Sequence, residues 1–499
     1  MGGRGQKIRR EAGLTTMATN EHYDLIVRNA TIIEGTRAPR YRGEIGVRGD
    51  KIVKIGALDR ASADTEIDGS GLIAAPGFID AHTHDDRMLL SNPDMAPKAS
   101  QGVTTVVAGN CGISLAHSPA NGSATPPLDL LDGSGDWFKF PTFRAYREEL
   151  AAHPAAINAT CLVGHTTFRV AAMDRLDRAA TPAEIAKMRA MAHESLASGA
   201  IGVSTGTAYP PAACAPTEEI IEICRPLSEF DGLYVTHMRN EDDHIIESIE
   251  ETCLIGRTLK VPVVISHHKT VGTRNHGRST ETLKLIASRM QTQPMGLDCY
   301  PYIASSTVLR YDRLEQSSRI IVTWSKPHPE FAGVDLDEVA RRLGMTQAEA
   351  VEKIKPAGAI YFMLDEQDVQ RILAFEDTMI GSDGLPHDTK PHPRLWGTFP
   401  RVLGHYSREL KLFPLETAVY KMTGLTAGKF GLKGRGVLKA GAYADITLFN
   451  ADTVIDAADF QHSTLPARGI GTVIVNGGVI WRDGKSSGAR PGRVLLRNA

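Results

Sequence analysis

The sequence predicts an α/β protein: a closed, TIM-like (β/α)8 barrel carrying a small β-sandwich domain formed from both termini. Two patterns predict it. Eight short apolar segments alternate with helical ones through the middle of the chain, the signature of a parallel sheet with crossover helices. Both chain ends instead show short strands and tight turns, each end too small to bury a core by itself. At 499 residues, 42% hydrophobic and 23% charged, the chain can build one large barrel with attachments.

Residues 1–22 read as an N-terminal tail, disordered by expectation. The stretch from Met1 to Thr16 is basic and glycine-containing, and Met17 offers an alternative start. Residues 23–74 form the first part of the β domain, with strands at 23–28 and 30–33 and a hairpin joining 44–47 to 51–56 across Arg48-Gly49-Asp50. The barrel takes residues 75–430. Its strands are expected at 77–81, 104–108, 158–163, 200–204, 233–236, 262–266, 295–299 and 378–381. Thr181 is placed to N-cap a helix that opens on Pro182 and runs through Leu196; further helices begin at Thr217 and at Glu241, the latter running to Leu254. The Pro-, Gly- and Ser-rich stretch 114–135 reads as a long loop or lid, and 310–363, with a helical piece at 335–343, as an insertion near the barrel mouth. Residues 431–499 return to the β pattern at 444–449 and 471–480 and complete the terminal domain.

Composition excludes several function classes. A net charge of −2 gives no bulk argument for nucleic acid or an anionic membrane as partner. No apolar run approaches the ~20 residues needed to span a bilayer, and the N-terminus lacks the apolar centre of a secretory signal. The six cysteines (111, 161, 214, 224, 253, 299) lack paired spacing, which fits a reducing, cytoplasmic compartment. Oligomeric state is not encoded in any such feature.

The residues that carry chemistry lie just past the expected strands. His82 and His84 are two apart at the end of the first, so both side chains leave one face. Asn110-Cys111-Gly112 follows the second strand, His237 the fifth, His267-His268-Lys269 the sixth and Ser382-Asp383-Gly384 the eighth. In a barrel those positions converge on one face, where active sites are built. Imidazole, thiolate and carboxylate together suit zinc, and ligands drawn from all around a barrel suit an open catalytic metal better than a closed structural one. The other five cysteines read as packing residues. His268, adjacent to His267, is sent by strand alternation to the opposite side and reads as structural.

With these residues on one face the chain resembles the amidohydrolase superfamily, over nearly its whole length from Tyr23. The resemblance rests on Gly77-Phe78-Ile79-Asp80-Ala81-His82-Thr83-His84, the two later histidines and Gly381-Ser382-Asp383-Gly384. Many relatives carry a carboxylated lysine after strand four; here that stretch, 200–205, has none, and Cys111 stands as the replacement bridging ligand. That departure is similar to the N-acyl-D-amino-acid deacylase (D-aminoacylase) family, as are His237-Met238-Arg239-Asn240-Glu241, Ser266-His267-His268-Lys269, Asp383-Gly384-Leu385-Pro386 and Pro391-His392-Pro393-Arg394-Leu395-Trp396-Gly397.

The resemblance implies a zinc hydrolase of small-molecule N-acyl-D-amino acids, with Asp383 handling the proton. Cys111, His237 and His267 would hold one tight zinc, and His82, His84 and Asp383 a second, weaker position. Tyr209, Lys269 and Arg394 would hold the substrate carboxylate. The side-chain pocket is expected after strand seven, around 305–313, with a broad apolar or methionine-type preference. Arg313 meeting an acidic side chain, as in N-acyl-D-glutamate or N-acyl-D-aspartate deacylases, is the alternative; Arg310 and Arg313 pairing at the surface with Asp312 or Glu315 is the bland one. A cyclic amidase, a metal-free Cys111 nucleophile and a non-catalytic scaffold are the competing readings.

Overall fold

The computed structural model describes residues 21–119 and 125–498. Residues 1–20 of the expected tail, Met17 among them, and residues 120–124 of the expected lid lie outside these. The first strand, His22–Ile32, begins one residue before the expected start of the β domain.

Eight parallel strands form the barrel, each where the apolar pattern placed it: Phe78–Asp80, Val103–Ala108, Asn158–Gly164, Gly202–Gly206, Leu233–His237, Val263–Ile265, Met295–Cys299 and Thr378–Ile380. Every residue in them is buried, as strands covered on both faces require. The circle closes between the last strand and the first, where Ala81 N donates to Ile380 O at 3.1 Å and Asp383 N to His82 O at 2.8 Å. Ile79, Val107, Leu162, Val235, Val264 and Met379 pack as one cluster that fills the barrel interior.

The two chain ends do not make separate arms. Their strands form one nine-stranded sheet, joined where Ile73–Pro76 pairs antiparallel with Ile446–Phe449. Leu25, Val27 and Ile45 from the N-terminal part share a core with Ile446, Leu448 and Ile474. No described helix is long and apolar enough to cross a membrane.

Between strands three and four the helix Pro182–Ala197 opens as expected: Thr181 caps the Glu184 amide while Glu184 reaches back to the Thr181 amide. The helix expected from Glu241 starts later, at Ile245. The cause is local, since Asn240 Oδ1 accepts from the amides of Asp242 (3.0 Å) and His244 (2.9 Å) in a turn that delays the first helical residue. The insertion also begins earlier than expected. Ala304–Val308 and Arg319–Ser325 pair antiparallel with Ala357–Phe362, and the helices Leu336–Leu343 and Gln347–Ile354 complete a small unit with its own core of Val322, Leu336, Val339, Val351 and Tyr361. The stretch expected as a pocket-lining loop after strand seven is therefore in part a strand, burying Ala304 and Ser306 while Ser305 and Thr307 are half-buried.

Candidate metal centre

The strand ends bring the predicted ligands together. His82, His84, Cys111 and Asp383 form one group and Cys111, His237 and His267 another, each with its donor atoms within 4.8 Å of one another and all side chains buried. Cys111 belongs to both. Its Sγ lies 3.2 Å from His82 Nε2 and 3.4 Å from His267 Nε2. His267 Nε2 is 3.0 Å from His237 Nδ1, and Asp383 Oδ1 is 3.1 Å from His84 Nε2 and 3.5 Å from His82 Nε2.

The backbone is bent to achieve this. Cys111, His267 and Asp383 all adopt positive φ (54°, 37° and 50°), a conformation that costs on the order of 1–3 kcal/mol for a non-glycine residue. Hydrogen bonds between neighbouring strands hold His267 and Asp383. His267 N donates to Asp298 Oδ1 at 2.9 Å, and Asp383 is fixed by its own amide on His82 O together with Ser382 N on Asp80 Oδ1 at 2.7 Å. Beside Cys111 only glycine fits: a Cβ at Gly109 would stand 2.2 Å from Leu162 O, at a φ of +79°. Beneath, the fully buried Lys98 ties strand one to strand eight, with Nζ 2.8 Å from Asp80 Oδ2 and 2.7 Å from Ser382 Oγ.

Charge at the site follows from this crowding. Burial alone would raise the Cys111 thiol, but His82 and His267 outweigh it and hold the thiol well below its ordinary range, as a thiolate ligand requires. Burial would likewise raise Asp383; Arg394, His82 and His84 more than offset it and keep the carboxyl well below the usual range. Four imidazoles, two after strand one and one each from strands five and six, join a thiolate and a carboxylate in a donor set that fits zinc. His268 is directed elsewhere, onto Thr282 Oγ1 at 2.9 Å, and burial pushes its imidazole down to about 4.

The predicted substrate residues line the adjoining cavity or its wall. Tyr209, Lys269 and Arg313 line it with Val271, Tyr300 and Ser305–Thr307. Lys269 is already engaged: its Nζ donates to Glu241 Oε1 at 2.6 Å. Tyr209 stacks edge-on against His237, 5.0 Å between centroids, with its hydroxyl 3.0 Å from Thr307 Oγ1. Arg394 is fully buried behind Asp383, with Nη1 2.9 Å from Asp383 Oδ2 and Nε without a hydrogen-bond partner. Arg310 pairs with Asp312 at 2.7 Å, whereas Arg313 meets no carboxylate among the described residues and donates to Gln316 Oε1 at 3.0 Å. Cys161, Cys224, Cys253 and Cys299 are buried as expected of packing residues; Cys214 is exposed instead, in the short turn after strand four.

Sequence reasoning missed Asp298, Tyr300, Lys98 and the role of Glu241. Asp298 Oδ1 lies 3.4 Å from His82 Nδ1, and Tyr300 sits under the Arg394 guanidinium (4.7 Å) with its buried hydroxyl unpartnered. Glu241 read as an acidic helix start. Asp298 and Tyr300 straddle the end of a strand, and only the third dimension brings them to the histidines.

The chain is similar over nearly its whole length to known proteins. The profile of the amidohydrolase family matches residues 65–267 and 263–481. The D-aminoacylase of Alcaligenes xylosoxydans xylosoxydans is 58% identical over 484 residues, covering 97% of this chain and all of that protein. The N-acyl-D-aspartate deacylase of the same organism is 52% identical, covering 95% of each chain. The crystal structure of N-acyl-D-glutamate deacylase from Bordetella bronchiseptica, complexed with zinc and a phosphonate inhibitor, superposes with a TM-score of 0.92 at 45% identity, covering 95% of this chain and 100% of that one.

Proposed function

The chain belongs to the amidohydrolase family, within it to the N-acyl-D-amino-acid deacylases, and from that membership we propose that it hydrolyses N-acyl-D-amino acids to a carboxylate and a free D-amino acid, using zinc. The observation that carries the reading is the shared Cys111, which belongs to both ligand groups in a barrel whose fourth strand supplies no lysine. Cys111, His237 and His267 would hold the tight zinc, and His82, His84 and Asp383 would offer a second, weaker position. Zinc bound there supplies a Lewis acid and a water whose pKa falls to about 7.

The remaining work belongs to the protein. Asp383, kept ionised by its cationic neighbours, accepts the proton of the attacking water and delivers it to the leaving amine nitrogen. The α-carboxylate meets Arg394, whose Nε is an unfilled buried donor, together with Lys269 and the hydroxyls of Tyr209 and Tyr300. Leu130, Val271 and Leu385 form the apolar part of the wall and exclude water from the reacting bond. With the carboxylate and the acyl carbonyl anchored, hydrogen and side chain have one direction each, and a pocket shaped for one arrangement selects the D form.

For the side chain, the apolar wall supports a broad apolar or methionine-type preference. A second reading is favoured by one observation: Arg313 faces the cavity without a carboxylate partner, as an acidic substrate would need. The zinc-loaded enzyme assayed on N-acetyl-D- and N-acetyl-L-methionine, -leucine, -glutamate and -aspartate tests both. Cleavage confined to D forms is expected; cleavage of L forms only would overturn the substrate class.

A further inference from the structure

We propose that Glu241 is the positioning residue that sets the zinc affinity of Cys111, His237 and His267, by placing one carboxylate oxygen beside the outward-facing nitrogen of each histidine. The inference rests on the zinc reading above. His237 Nδ1 and His267 Nε2 face each other at 3.0 Å, with Cys111 Sγ 3.4 Å from the latter, so these three atoms converge on one point. The other nitrogen of each ring turns away from that point and towards Glu241. His267 Nδ1 is 3.1 Å from Oε1 and His237 Nε2 is 3.5 Å from Oε2. One carboxylate thus serves two rings, one oxygen to each.

The consequence is a choice of tautomer. A proton on the outer nitrogen leaves the inner nitrogen its lone pair, which is the form a metal requires, and an acceptor on the outer side favours that form while fixing the ring plane. The acceptor is well held. Glu241 is 4% exposed, its backbone carbonyl accepts from Val271 N at 2.8 Å, and Lys269 Nζ balances its charge at 2.6 Å. Lys269 Nζ also stands 2.7 Å from His267 Nδ1, so that nitrogen is shared between the ammonium and Glu241 Oε1, and the carboxylate is the neighbour that favours a proton on it.

The competing account makes Glu241 only the counter-ion of Lys269. Competition of the purified holoenzyme against a chromophoric zinc chelator distinguishes the two. Glu241→Gln keeps the volume but replaces one carboxylate oxygen by an amide N–H donor, so at least one ring loses the acceptor beside its outer nitrogen. Zinc held about 10–100-fold more weakly is expected, with the zinc-free variant still folded by circular dichroism. Equal zinc affinity in Glu241→Gln and wild type, with only KM altered, overturns the proposal. If Glu241→Gln does not fold, Glu241→Asp keeps the charge and withdraws the acceptor by one methylene; weaker zinc than wild type supports the proposal and unchanged affinity overturns it. A wild-type protein that holds no zinc would instead remove the functional reading itself.

Discussion

Arg394 Nη1 lies 2.9 Å from Asp383 Oδ2, the arginine fully buried and the aspartate among the candidate ligands. The pairing gives Asp383 a permanent cation on the side away from His84, so its carboxylate stays charged in a site where burial alone would protonate it. Asp383→Asn removes the proton acceptor without touching Cys111, His237 or His267. Turnover should fall on the order of 10²–10⁴-fold while zinc stays bound, as metal analysis of the purified variant would show. A variant that retains activity would take the proton-transfer role away from Asp383.

Arg394 itself serves two partners in this arrangement, Asp383 and the incoming carboxylate. Arg394→Lys keeps the charge but loses the planar fork, and one charge-assisted hydrogen bond corresponds to about 1.5–3 kcal/mol. A fall of roughly 10–100-fold in kcat/KM, visible in KM as well as kcat, is expected from steady-state kinetics. An effect on kcat alone would mean that Arg394 acts only through Asp383.

Arg313 discriminates between the two side-chain readings. It reaches the cavity without an acidic partner, whereas its neighbour Arg310 is consumed by Asp312. If it receives a substrate carboxylate, Arg313→Met should lower kcat/KM for N-acetyl-D-glutamate or -aspartate by about 10–100-fold and leave N-acetyl-D-methionine nearly unchanged. Parallel losses on both substrates would return the pocket to a purely structural role for Arg313.

Lys98 lies below the metal-binding residues and holds barrel closure. Its ammonium is fully buried between Asp80, Asp85 and Ser382, and the Asp80 it neutralises also accepts the Ser382 amide that sets up Asp383. Lys98→Met leaves Asp80 buried without its cation, a loss of about 3–5 kcal/mol. Urea unfolding of the zinc-free protein measures it, and a shift of less than ~1 kcal/mol would mean the site relaxes to admit water.

What was legible in the sequence divides along a physical line. The eight strands were readable because a strand buried on both faces is a continuous apolar run, and the ligands because each follows such a run directly: Cys111 after 103–108, His237 closing 233–237, Asp383 three residues past Ile380. Pairings across the barrel were not. That Asp298 would face His82, or Lys98 reach Ser382, depends on which strands neighbour at closure and on the left-handed turns at His267 and Asp383, and neither leaves a periodic trace. Glu241 was misleading for a different reason: an acidic residue near a helix start has a sufficient local explanation, which hid its long-range one.

The mouth of the site gives a pH dependence whose sign is fixed by burial. Asp388, in the loop after the last strand, and Asp129, in the lid, line one cleft, and burial pushes each carboxyl up to about 7 from an ordinary value near 3.8. Asp388 Oδ2 and Asp129 Oδ1 have no hydrogen-bond partner to stabilise a charge. As pH rises past 4 the unfolded chain releases these protons while the folded one keeps them. The folded state then binds more protons than the unfolded, so stability falls as pH rises towards 7, and the contribution is lost once pH passes it. Asp388→Asn keeps a neutral side chain at every pH and removes one of the two groups. Between pH 5 and pH 8 the wild type should therefore lose more stability than the variant by about 3 kcal/mol, at ~1.4 kcal/mol per unit of displacement. Urea midpoints at the two pH values measure the difference. Equal losses would show that Asp388 ionises in the folded protein at no cost, which its buried, unpartnered oxygen argues against.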